Sequence, residues 1–237
     1  INGKVWFHNK DKIITDLPIR KIVPINKETG LIQISSLFWN IDPRHKVLKE
    51  VLTLETIVQG IELLFYVVVA FVSVKVASLA SLRYYDWVLT TPMMLLATII
   101  FMVWSNNEKT KEETKITFMD TIKKYKKEIT SILVLNLMML GFGYLGETAQ
   151  MPNLLAVVLG FIPFGMMFGK MYTDFVEHNS SKETKQLYWF MISVWGLYGV
   201  AALMNPILKN VMYNGLDIVA KNFYGLFLFY KLYQLKL

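Results

Sequence analysis

The stretch Asp217-Ile218-Val219-Ala220-Lys221-Asn222-Phe223 places a lysine inside an otherwise apolar run that extends from Val211 to Tyr233. A cation at that depth is costly in hydrocarbon, so an ionisable residue within a spanning segment is a functional residue by default and needs a partner. Asp217 stands four residues earlier, one helical turn away on the same face, and can serve as its counter-ion. Lysines withdrawn from water are also the ones that form imines with carbonyl compounds. The competing reading is a structural ion pair between helices.

Working outward, 54% of the 237 residues are apolar and 18% charged, and the mean hydropathy is +0.39. That balance suits a bilayer better than water as the solvent. Six stretches have the length and apolarity to cross it: Val51 to Ala77, Leu82 to Trp104, Ile129 to Leu145, Leu154 to Tyr172, Leu187 to Leu203 and Val211 to Tyr233. They are too long for barrel strands, and every backbone group in lipid must be satisfied within its own segment, so the fold class is an all-α membrane bundle. There is no cysteine, and His8, His45 and His178 have no metal-ligand spacing. Thiolate chemistry and cysteine-ligated metals are excluded.

The formal charge of +7 does not form a stripe interleaved with stacking aromatics, so nucleic acid is not an expected partner. The cations instead mark topology. Lys109, Lys111, Lys115, Lys123, Lys124, Lys126 and Lys127 lie between the second and third spans, and Arg20, Lys21, Arg44, Lys46 and Lys49 precede the first. Both regions are expected on the cytoplasmic side of a multi-pass protein, and six spans then put both termini there. Residues 1–49 contain no spanning run and carry Pro18, Pro24 and Pro43, which argue against a long helix. They read as a polar or interfacial segment preceding a bundle domain of residues 50–237.

The second span opens Arg83-Tyr84-Tyr85-Asp86-Trp87-Val88-Leu89-Thr90-Thr91-Pro92. One helix thus offers a cation, a carboxylate, two hydroxyls and an indole at helical spacing. Facing Asp217 and Lys221, it would complete a compensated cluster of two carboxylates and two cations. Together these two segments resemble the third and seventh helices of the microbial rhodopsins. Gly141-Phe142-Gly143-Tyr144-Leu145-Gly146 is similar to the fourth helix of that family, and Trp195-Gly196-Leu197-Tyr198 to the sixth. On this alignment Val51 to Ala77 is the second helix, and the first helix is atypical or missing.

The resemblance implies all-trans-retinal bound to Lys221 as a protonated Schiff base. It makes Asp86 the principal counter-ion and proton acceptor, Asp217 the second counter-ion, Thr90 a neighbour in proton transfer, and Arg83 the organiser of the extracellular side. Trp87, Thr91, Met94, Met139, Gly143, Trp195 and Tyr198 would line the chromophore, with Tyr84 and Tyr66 as polar neighbours. There are departures from the pattern. The position eleven residues after the acceptor, a carboxylate in proton pumps of the family, is Ala97; the usual proline after the Trp-x-x-Tyr is Gly199; and an aromatic four residues beyond that Tyr is Ala202, which opens the ring end of the pocket.

Glu55 and Glu62 are seven apart on one face of an apolar span, and Asn222 follows the lysine. A carboxylate there needs a polar partner or water. Glutamates on this helix with Asn after the lysine resemble channelrhodopsins and light-gated channels among viral rhodopsins, where they constrict a cation path. The expectation is a light-gated cation channel, with an outward proton pump as the alternative, in which Glu55 substitutes for the missing donor. A sensory photoreceptor ranks third. No nucleophile and base pair stands out, so an enzyme is not expected. Lys221-Asn222-Phe223-Tyr224-Gly225, the lysine-rich loops and the Met-rich helices look similar to viral rhodopsins. Expected partners are the bilayer lipids and protons or monovalent or divalent cations, and a homo-oligomer is compatible with the sequence.

Overall fold

A computed structural model describes residues 18–71, 76–110, 116–178 and 180–235. His8, Lys111, Lys115 and the part of the first span at residues 72–75 lie outside the described residues, as do the side chains of Arg20 and Lys21. The described elements are helical: α1 (Pro18–Ser35), α2 (Lys46–Phe71), α3 (Val76–Thr110), the short α4 (Phe118–Lys124), α5 (Lys126–Glu147), α6 (Asn153–Phe175), α7 (Lys182–Ala202), α8 (Pro206–Asp217) and α9 (Tyr224–Gln234). A π-helical segment, Ile218–Phe223, joins α8 to α9, so these three pieces form the last rod of the bundle.

The six expected spans all appear. Four of them, α2, α3, α5 and α6, are long and apolar enough to cross a membrane on length and composition alone. α7 is interrupted by Tyr and Trp, residues that favour the membrane interface, and the last rod is divided by the π-helical segment. The outer faces expose Leu64, Val68, Val134, Leu137, Val158 and Ile162. Apolar surface on this scale, spread around a bundle, is what lipid covers.

Residues 24–35 depart from expectation. They do not lie on the surface as a polar segment, because α1 runs straight through Pro24 and packs against α2 and the last rod. Its Asn26, Thr29 and Gln33 are buried. The proline forfeits one backbone hydrogen bond, and contacts along two neighbouring helices offset that loss. The pairs Thr29–Gln59 and Gln33–Thr56 advance in opposite directions along the two chains, so α1 is antiparallel to α2. Six spans with both ends on one side therefore become seven rods, with residues 18 and 235 at opposite ends of the bundle. The rebuilt first helix occupies part of the segment that reads as interfacial in sequence.

One end of the bundle gathers Arg44, Lys46, Lys49, Lys109, Lys123, Lys124, Lys126, Lys127, Lys170, Lys182, Lys185 and Lys231. Asp42 caps the turn that enters α2, and the backbone N–H and guanidinium of Arg44 hold its carboxyl down at about 2. At this same end α3, α6 and α7 are tied by Asn106. Its amide donates to Phe175 O at 2.9 Å, and its Oδ1 accepts from Ser181 N–H at 2.9 Å and from the Thr184 hydroxyl at 2.8 Å. Ser105 and Ser181 share a further bond of 2.7 Å. Asn106→Ala removes three bonds at once and is expected to destabilise the protein by about 2 kcal/mol. Thermal unfolding followed by helical circular dichroism checks this; an unchanged midpoint would show that the tie contributes nothing.

Candidate functional site

Lys221 and Asp86 meet in the middle of the bundle, with Nζ 2.5 Å from Oδ2. Lys221 is 2% exposed and Asp86 4%, so this is a desolvated pair whose members depend on one another. Glu62 from α2 stands third in the group, with Oε1 3.9 Å from Lys221 Nζ. Among the described residues, neither Glu62 oxygen has a hydrogen-bond partner, nor does Asp86 Oδ1.

Asp217 does not make the expected ion pair with Lys221. Its Oδ2 accepts from Arg83 at 2.9 Å and from the Tyr66 hydroxyl at 2.6 Å, and its Oδ1 accepts from Tyr198 at 2.8 Å. Arg83 also donates to Tyr66 at 2.8 Å and to Asn214. The cause is local. The segment between Asp217 and Lys221 winds as a π-helix, whose wider turn moves Lys221 off the i+4 position below Asp217. Two ion pairs with a third carboxylate beside them therefore replace a single four-membered cluster. The Thr90 hydroxyl is engaged with Asp86 O, one turn back on its own helix, at 2.9 Å.

From Lys221 a cavity opens between α3, α5, α6 and α7. Tyr84, Trp87, Thr91, Met94, Met139, Gly143, Trp195 and Tyr198 all line it, from three different helices. Gly143 is needed for close approach, because a Cβ there would overlap the Tyr84 hydroxyl. At Gly199 the ring of Phe161 of α6 packs close to the backbone, with ring atoms 2.5 and 2.6 Å from where a Cβ would stand. Ala202 does line the cavity. Sequence reasoning missed Tyr213, which stacks on Tyr198 with ring centroids 5.7 Å apart. It also missed Asn136, whose amide donates to Thr91 at 2.8 Å, and Asn214. A polar residue at helical spacing inside an apolar run was the available signal for both asparagines.

A second polar group lies between α1, α2 and the last rod. Asn222 accepts from Thr29 at 2.7 Å and donates to Asn26 at 2.7 Å, while Gln59 donates to Lys221 O at 3.3 Å. Glu55, Gln59 and Glu62 share one face of α2 and are at most 1% exposed. Both oxygens of Glu55 also lack a hydrogen-bond partner among the described residues. Thr98 and Tyr224 share a hydrogen bond of 3.2 Å, and Ala97 is fully buried. Asp217→Ala leaves the Arg83 guanidinium, 0% exposed, without its carboxylate, and a loss of roughly 3–5 kcal/mol is expected. Unfolding of Asp217→Ala beside Asp217→Asn checks this, with the Asn variant, which keeps an acceptor, less affected.

A family model described as "Bacteriorhodopsin-like protein" matches residues 29–235. Among solved structures, viral rhodopsin OLPVRII is 26% identical with a TM-score of 0.77, and the match covers 92% of this chain and 96% of that one. Residues 50–237 alone could not supply that coverage, so the leading segment takes part in the likeness. Blue light-absorbing proteorhodopsin from Med12 is 15% identical (TM-score 0.69; 92% and 96% covered) and xanthorhodopsin, a light-driven ion pump with dual chromophore, is 18% identical (TM-score 0.63; 92% and 96% covered). These two share the fold. No curated protein matches the chain in sequence.

Proposed function

The chain belongs to the bacteriorhodopsin-like family, the microbial rhodopsins whose business is light-driven ion transport, and we propose that it works as a light-gated cation channel with retinal on Lys221. The residues present suit that chromophore. A long, mostly apolar cavity walled by Trp87 and Trp195 ends at the lysine, and the carboxylate of Asp86 compensates a cation there. Bound to Lys221, retinal supplies light absorption and a change of shape. Asp86 Oδ2, 2.5 Å away, is the acceptor placed to take a proton from the lysine nitrogen. Arg83 and Asp217, paired at 2.9 Å, form a charged plug on the side away from the lysine-rich end. With that end cytoplasmic, as the retention of Lys and Arg requires, the Pro18 end of α1 faces outward.

The observation that carries the channel reading is the stack Glu55, Gln59 and Glu62, buried against Asn26, Thr29 and Asn222. All four carboxylate oxygens in it lack a hydrogen-bond partner among the described residues. Buried polar groups are otherwise paired almost without exception, so a seam with this many open acceptors is suited to water and cations. Proton transfer from Lys221 to Asp86 removes the charge that Glu62 faces at 3.9 Å, which loosens the seam on the side of α1 and α2. One observation favours a pump instead: Glu55 lies buried near Tyr224 in a bundle whose α3 offers only Ala97, so a proton on Glu55 could resupply Lys221.

Photocurrent under voltage clamp separates these readings, in cells given all-trans-retinal and recorded across holding potentials and cation gradients. The channel predicts a current that reverses with the gradient and a selectivity altered in Glu62→Gln. A current outward at every potential and abolished in Glu55→Gln would replace the channel with the pump. Absence of current from coloured protein in the membrane would leave a photosensor.

A further inference from the structure

The route from Glu62 to Glu55 has to pass Gln59, which stands between them on α2. Opposite Gln59 on the last rod is Gly225, one turn beyond Lys221 toward the lysine-rich end. Gln33 of α1 completes the ring. A Cβ on residue 225 would overlap Nε2 of Gln33 and Nε2 of Gln59 and come within 3.0 Å of Gln33 Cδ. Separations that short do not occur for real side chains, so only glycine allows both amides to reach this point.

The two amides differ from ordinary packed side chains in how they are held. Gln33 is 0% exposed and Gln59 1%. The Thr56 hydroxyl donates to Gln33 Oε1 at 3.2 Å, and the Thr29 hydroxyl lies 3.0 Å from Gln59 Oε1. At their other ends, among the described residues, Gln33 Nε2 has no hydrogen-bond partner and Gln59 Nε2 has only the 3.3 Å bond to Lys221 O. Two long, buried and under-bonded side chains therefore converge on a position of the last rod that has no side chain. Gln33 is anchored through one hydroxyl, and Gln59 through one hydroxyl and its long bond to Lys221 O. Glu55, with both oxygens open, lies one turn of α2 away.

We infer that Gly225 sets the aperture of the ion route: its bare backbone, with the Gln33 and Gln59 amides, forms a narrowing separate from the one at Glu62 and Asn222, and determines the largest cation that passes. This rests on the channel reading. The narrowing is neutral, so it sorts cations by size, whereas Glu62 acts by charge. A methyl group at 225 tightens it, and truncation of either glutamine widens it.

The test is the light-induced reversal potential with external sodium replaced in turn by methylammonium, dimethylammonium and tetramethylammonium, in retinal-supplied cells expressing the full chain. Gln33→Ala should raise the permeability of dimethylammonium relative to sodium several-fold, and Gly225→Ala should lower it. The double variant Gln33→Ala/Gly225→Ala should return toward wild type, because the added methyl then occupies the space the amide has left. Visible absorption of each purified variant reports folding; if Gly225→Ala yields no coloured protein, Gln33→Ala and Gln59→Ala carry the test. Reversing currents with an unchanged size series in coloured Gln33→Ala and Gln59→Ala protein would overturn the aperture and leave the channel standing. A wild-type current that never reverses would overturn the channel reading, and the aperture with it.

Discussion

A lysine ammonium buried at the centre of an apolar bundle constrains everything around it. Lys221 is 2% exposed, and such a charge persists only with a partner at contact distance. Asp86 supplies that partner at 2.5 Å. Once Asp86 is committed, Arg83 one turn earlier needs its own carboxylate, which is Asp217, steadied by Tyr66 and Tyr198. The π-helical segment makes the division possible by turning Lys221 toward α3 and leaving Asp217 to Arg83. Glu62 then stands beside Lys221 as a third carboxylate with no hydrogen bond of its own. The local winding of the last rod thereby decides which charges pair and which is left to respond when the pair is broken.

The two sides of the bundle are satisfied to different degrees. Where α3, α6 and α7 meet at the lysine-rich end, Asn106, Ser105, Ser181 and Thr184 bond to one another and to the backbone. Between α1, α2 and the last rod, by contrast, Asn26 Nδ2, Gln33 Nε2 and the oxygens of Glu55 and Glu62 find no hydrogen-bond partner among the described residues. Each open polar atom in a dry interior costs free energy that a bonded one does not. A disturbance at Lys221 is thus resisted on the first side and accommodated on the second, the side on which the proposed ion route lies.

Much of this was legible in the residues. Six long apolar runs define six of the rods, and an intramembrane lysine with a carboxylate, hydroxyls and indole at helical spacing identifies the site. The likeness to viral rhodopsins read from the lysine segment agrees with the fold shared with viral rhodopsin OLPVRII. The first helix was not legible, because Asn26, Thr29 and Gln33 break the apolar run that marks a span. Those residues are polar because their partners, Asn222, Gln59 and Thr56, are polar too. Such pairing depends on contacts between positions as far as 196 residues apart in the chain. The pairing of Arg83 with Asp217 was hidden for a different reason: a π-helical turn leaves no periodic trace in six residues. The Glu147–Lys209 ion pair at 2.8 Å, which ties the end of α5 to the start of α8, was equally out of reach of local pattern.

The central claim is that Lys221, held by Asp86, is the attachment point for retinal. Visible absorption of Lys221→Ala, purified from membranes supplied with all-trans-retinal and set beside the wild type, tests it most directly. The account predicts a coloured wild type and a folded but colourless variant; a variant that keeps the visible band would contradict it.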